Sequence, residues 1–165
     1  LDISRNRIKS MAIMHEHFYQ DQHYGAININ EYLKDLIEYY QNYIIEDQLS
    51  LSLNLPQNPL FMNFDQAVTY ALLTNELIGI GVLYRTSGHL QKAEKPTYTI
   101  SLSNEQESTI LYLSFEQQAE SIEEFQKSIP LEYEIAENLA AQLTASLEYE
   151  ADRALHIKLI TPKTP

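Results

Sequence analysis

Asp65-Gln-Ala-Val-Thr-Tyr-Ala-Leu-Leu-Thr-Asn75-Glu76-Leu77-Ile-Gly-Ile80-Gly81-Val-Leu-Tyr-Arg85 is the stretch on which the reading of this chain turns. Asp65 is placed to cap a helix, because its carboxylate can accept from the free N–H groups of the first turn. Val68, Ala71, Leu72, Ile78, Gly79 and Val82 then recur at helical spacing, which predicts a helix packed on something apolar. A polar pair, Asn75-Glu76, sits inside that apolar run.

Outward from this helix the chain divides into further periodic segments. Residues 2–20 place Ile8, Met11, Ala12, His15, Phe18 and Tyr19 on one face of an amphipathic helix, and Gly25 breaks it. Asn30 is the expected cap of a second helix, whose buried stripe is Leu33, Leu36, Ile37, Tyr40 and Ile44. Leu49 to Leu55 alternates strictly, as a strand with one buried face does, until Pro56 and Pro59 end it. After the central helix a loop runs from Ser87 through His89 to Pro96.

Tyr98, Ile100 and Leu102 alternate in one strand and Leu111, Leu113 and Phe115 in the next, joined by a polar turn at 103–108. Residues 116–128 read as an acidic loop with one helical turn, anchored by Ile122 and Phe125. Pro130 opens a third core helix through Leu131, Ile135, Leu139 and Leu143. Strands at 146–150 and 154–160 close the chain around Ala151-Asp-Arg153. The sum is a two-layer α/β sandwich: a mixed, mostly antiparallel sheet covered on one face by helices, with an N-terminal helix.

Composition limits the function. The 165 residues suit one domain with a short helical appendage, and 44% hydrophobic residues support a sizeable core. A net charge of −12, with Lys and Arg scattered, argues against nucleic acid or an anionic membrane as partner. Without cysteine there is no disulfide, thiolate metal site or Cys nucleophile. No run of about 18 apolar residues and no signal-peptide pattern occurs, so the expectation is a soluble, cytoplasmic piece without membrane contact. It opens at Leu1 in mid-pattern, as a fragment would, and the whole protein can be membrane-anchored.

Three blocks carry a family resemblance. Arg7-Ile-Lys-Ser-Met-Ala-Ile-Met-His-Glu16-His-Phe-Tyr19 and Ile29-Asn-Glu-Tyr-Leu-Lys-Asp-Leu36 resemble the end of the dimerisation helix and the entry to the ATP-binding domain in sensor histidine kinases of the HWE type. Residues 65–77 are similar to the N-box helix of that family, and Leu131 to Leu143 to the helix after its second glycine box. The resemblance implies a Bergerat-type ATPase sandwich at 25–165, preceded at 1–24 by the end of the dimerisation helix and a linker. It further implies a homodimer through the N-terminal helix and a response regulator or other signalling protein as partner; no cofactor is expected unless the domain is an active kinase, in which case ATP and Mg²⁺ are.

The nucleotide boxes depart from the family. Glu76 matches the chemistry-activating N-box position, but the metal-binding Asn one turn later is Ile80, with no lone pair for a hard cation. Strand parity puts Phe115 at the adenine-binding Asp, and the adjacent Glu116 lacks the glycine that lets a backbone approach the base. The second glycine box reads Pro130-Leu-Glu132-Tyr-Glu134, with carboxylates where a triphosphate should meet a helix N-terminus. The final Gly-Thr turn reads Ala151-Asp-Arg153-Ala154.

Glu76 is therefore the foremost site candidate, as a vestigial catalytic residue. Asn75, Glu76 and Glu116 are the nucleotide-binding set if the domain is active, and no metal site is expected. The plainer reading of Glu76 is a helix carboxylate satisfied by water or a nearby base, and of Asn75 a bond to neighbouring backbone. His15 and His17 point apart on a helix; with His23, His89 and His156 they read as structural or solvated. Glu116, Glu120, Glu123 and Glu124 read as solvated loop charge, and Gly79-Ile-Gly81 as close helix packing rather than a phosphate loop.

Two functions follow from the resemblance. One is a degenerate kinase core that acts through protein contacts without normal ATP binding. The other is an active autokinase with diverged boxes, using Glu76 as base and Glu116 for adenine.

Overall fold

The computed structural model describes residues 3–20, 25–45, 49–86, 95–116, 121–152 and 154–163. The helices are α1 (Ile3–Gln20), α2 (Ile29–Tyr39), α3 (Phe64–Thr86), α4 (Ile122–Ser128) and α5 (Pro130–Gln142). The strands are β1 (Ile27–Asn28), β2 (Ser50–Asn54), β3 (Phe61–Met62), β4 (Thr97–Asn104), β5 (Ser108–Phe115), β6 (Ser146–Asp152) and β7 (Ala154–Pro162). Five strands form one sheet in the order β2-β4-β5-β7-β6, and β1 pairs with β3 in a separate ribbon. Only β2 runs parallel to its neighbour; the other pairs of the large sheet are antiparallel. The expected mixed, mostly antiparallel sheet covered by helices is the fold observed.

Strand alternation was a dependable guide. On β4 the inward residues are Tyr98, Ile100 and Leu102, on β5 Leu111, Leu113 and Phe115, and on β7 Leu155, Ile157 and Leu159; all are buried. A period of two places one apolar face of the sheet against the helices. The half-exposed face carries polar pairs, among them Tyr112 on His156 and Glu148 beside Lys158. At the outer edge β2 is less one-sided than its alternation implies, with Leu51 and Leu53 both half-buried.

Helix caps differ from expectation by two residues. α2 is capped by Asn28, whose side chain accepts from Glu31 N. Asn30 lies buried in the first turn instead, accepting from Leu60 N and donating to the Pro56 carbonyl. α3 is capped by Asn63, which accepts from Gln66 N at 2.9 Å, and Asp65 falls in the first turn. There its charge still favours the helix N-terminus. Beyond Tyr39, α2 continues as a π-helical turn over Tyr40–Ile45. Residues 122–128 form a helix capped by Ser121, longer than the single turn expected.

Two helix faces also differ. α1 turns Asn6, Ser10, Ile13, Met14 and His17 inward, whereas Ile8, Met11, Ala12, His15 and Tyr19 of the expected stripe face out and Phe18 is half-buried. α5 buries Ala136, Ala140 and Leu143, and leaves Leu131 exposed. α5 packs against α3, and small buried residues permit close approach between helices.

Candidate functional site

Glu76 lies in mid-α3 and is only 5% exposed. A buried carboxylate needs a cation or several donors. It receives both Nε and Nη2 of Arg7, the Nη2 contact measuring 3.0 Å. The pair joins α1 to α3 in a bidentate geometry that fixes orientation as well as charge. The hydrogen bond to Glu76 raises the Arg7 guanidinium further above its ordinary value, and the Glu132 carboxylate at the start of α5 adds to the effect.

Further buried and part-buried hydrogen bonds tie α1, α2 with its π-helical extension and α3 together. Tyr40 O–H donates to Asn75 Oδ1 at 2.8 Å and to the Asn75 carbonyl at 3.2 Å. Ser10 Oγ lies 2.7 Å from Tyr32 OH, which also donates to the Ala71 carbonyl. Tyr39 O–H reaches Asn6, and His17 Nε2 lies 2.8 Å from Asp35. Burial pushes the Tyr40 hydroxyl far above its ordinary range, with the charges of neighbouring tyrosines and Glu76 adding to it. Tyr32 is raised by burial as well. α1 is thus seated on α2 and α3 through polar side chains as well as through Ile13, Met14 and Phe18.

The remaining sequence candidates separate. Asn75 is buried beside Glu76, bonded to Tyr40 rather than to its own neighbouring backbone. Glu116 is exposed and accepts from Thr97 N at 3.3 Å, so it ties the start of β4 and is not brought to Glu76. Ile80 is fully buried. Phe115 is fully buried too, edge-on to Tyr98 at 4.9 Å, and its ring lies so close to Gly81 that a methyl group there would overlap it. Close packing accounts for Gly81, as expected; at Gly79 an added Cβ would make ordinary contact with Tyr40 at 3.9 Å. His15 is exposed and His17 buried, so the two do point apart. His23, His89, Glu120, Arg153 and the 87–94 loop lie outside the described residues.

These side chains fit a magnesium triphosphate poorly. Glu76 is already neutralised by Arg7, position 80 offers no oxygen, and the inward end of β5 is an aromatic ring instead of a carboxylate. Among the described residues no group of three or more His, Asp or Glu side chains is arranged to hold a metal ion.

Sequence reading missed Arg7, Tyr32 and Tyr40 as site residues. The signal for Arg7 was Glu76 itself. A carboxylate within an apolar helix demands a cation, and Arg7 opens the block that resembles the dimerisation helix.

This arrangement of helices over an antiparallel-rich sheet is shared with solved histidine kinase catalytic domains. Residues 1–44 match a family model described as histidine kinase. The histidine kinase domain of the Erythrobacter litoralis EL346 blue-light activated histidine kinase superposes with a TM-score of 0.81 at 11% identity. The superposition covers 98% of this chain and 75% of that one. A longer form of the same protein is matched over 47% of its length, at TM-score 0.76. Acinetobacter baumannii histidine kinase AdeS gives 0.65 at 10% identity, over 96% of this chain and 77% of that one. The catalytic domain of histidine kinase ThkA gives 0.65 at 13%, over 85% and 95%. Comparison with curated proteins gives no match. The chain thus has the fold of histidine kinase catalytic domains, and its first 44 residues match a histidine kinase family model. Among the described residues no helix is long and apolar enough to cross a membrane.

Proposed function

We propose that this chain is a degenerate histidine kinase core that works through protein contacts and does not bind ATP normally. The observation that carries the reading is the Arg7–Glu76 pair, which commits the one retained N-box carboxylate to seating α1. Phosphoryl transfer relies on metal and charge positioning, and neither Ile80 nor Phe115 contributes to it. In this reading residues 1–24 are the end of a dimerisation helix and its linker, and 25–165 an ATPase-like domain. Ile8, Met11 and Tyr19 on the outer face of α1 are 69%, 42% and 69% exposed, and supply the contact for a homodimer. A response regulator or another signalling protein is the further partner, and the setting is cytoplasmic.

The test is calorimetric titration of ATP and an unhydrolysable analogue, with and without Mg²⁺. No heat and no thermal shift at millimolar nucleotide is the expected result. Magnesium-dependent binding in the micromolar range would restore the active autokinase, with Glu76 as base and Glu116 toward adenine.

A further inference from the structure

A cavity of about 310 Å³ lies between the start of α3, the end of α5 and one end of the sheet. Ligand sites begin at about this size. Thr109 and Thr161, a register pair on β5 and β7, line it where the inward apolar face of the sheet ends. Thr109 is 2% and Thr161 6% exposed, and neither hydroxyl has a hydrogen-bond partner among the described residues. Two orphaned hydroxyls side by side are costly and call for a group that satisfies them. Leu60, Leu143 and the exposed ring of Phe61 supply apolar wall.

Charge selects among ligands. The chain carries 23 Asp and Glu, yet among the described residues the cavity is lined by no carboxylate and by one cation, Lys163. Its ammonium donates to the Glu105 carbonyl, which leaves further protons of its three for another acceptor. Gln66, the α3 residue that lines the cavity, stands ten residues and about 15 Å along the helix from Glu76, so the cavity is separate from that region.

We propose that this cavity binds a small amphipathic carboxylate, its apolar body on Leu60, Phe61 and Leu143 and its anionic end toward the threonines and Lys163. The proposal stands independently of whether the domain binds ATP.

Octanoate is the probe and 1-octanol its uncharged control, each titrated into the isotope-labelled chain and followed by amide chemical shifts. Octanoate is expected to move the amides at 60, 109, 143 and 161, and to bind more tightly than octanol. Exchanging both threonines for valine removes two unsatisfied groups while keeping their shape. The Thr109→Val/Thr161→Val variant should therefore melt no lower, yet bind octanoate about tenfold or more weakly. Lys163 is exposed, so Lys163→Gln tests the charge without threatening the fold and should bring octanoate down to the octanol level. Undiminished octanoate binding by the valine variant, equal binding of octanol and octanoate, or no shift at millimolar octanoate would each overturn the proposal.

Discussion

A carboxylate as buried as Glu76 tolerates the loss of its cation badly, because the charge stays in a poorly solvated place. Breaking a buried pair costs about 3–5 kcal/mol, and the 31% exposure of the Arg7 side chain lowers that to about 1–3 kcal/mol. Arg7→Met is expected to cost this much in urea denaturation, and Arg7→Met with Glu76→Gln less than the two single changes added together. Strict additivity would mean that the pair contributes no coupling. Gly81 makes the complementary case. Gly81→Ala puts a methyl group into the Phe115 ring and should destabilise by about 1–3 kcal/mol, with much of the loss recovered in a Phe115→Leu background. An unchanged melting temperature for Gly81→Ala would show that the ring moves aside freely.

At the level of elements, what could be read in advance follows from the kind of signal. β4, β5 and β7 declared themselves because their inward residues are large and apolar on alternate positions. α1 did not, since beside Ile13 and Met14 its inner face carries Asn6, Ser10 and His17, whose burial depends on hydroxyls and carboxylates arriving from α2. On α5 the inner face is alanine, which carries little hydrophobic signal beside Leu131. Caps slipped by two residues where several candidate side chains, such as Asn28 and Asn30, stand close together. Glu76 and Asn75 could be picked out as candidates from the resemblance, but their partners Arg7 and Tyr40 lie 69 and 35 residues away, beyond any local pattern. The end of α5 offers a test at this scale. Thr144 holds a left-handed backbone, φ 52°, and the bonds Thr144 N to Ala141 O and Ala145 N to Ala140 O close a Schellman turn there. Glycine adopts that conformation without the Cβ penalty, so Thr144→Gly should raise stability by about 1 kcal/mol in thermal melts; a fall would contradict the cap assignment.

Across the whole molecule the tyrosines set an alkaline limit. Among the described residues Tyr32, Tyr40, Tyr70 and Tyr98 are wholly or almost wholly buried, and for the first three desolvation is the leading reason each is raised above its ordinary value of 10.0. Below that value both folded and unfolded chains keep these protons. Above it the unfolded chain releases them while the folded one does not, so stability falls with rising pH until the folded groups ionise as well. The urea midpoint should drop between about pH 8 and about pH 11, with these three tyrosinates appearing only as the chain unfolds. Early ionisation with the fold intact would contradict the burial described here.

The one parallel pairing has a consequence for the order of folding. Asn54 meets Ser101 across 47 intervening steps of chain, with all of α3 between, whereas β4, β5, β7 and β6 join antiparallel neighbours. Closing the long loop costs entropy before its contacts reward it. The C-terminal half can therefore collapse first around its own strands. β2, and with it the helices that hold Arg7 against Glu76, would dock last, so that ion pair belongs to the part of the chain that forms late and opens early.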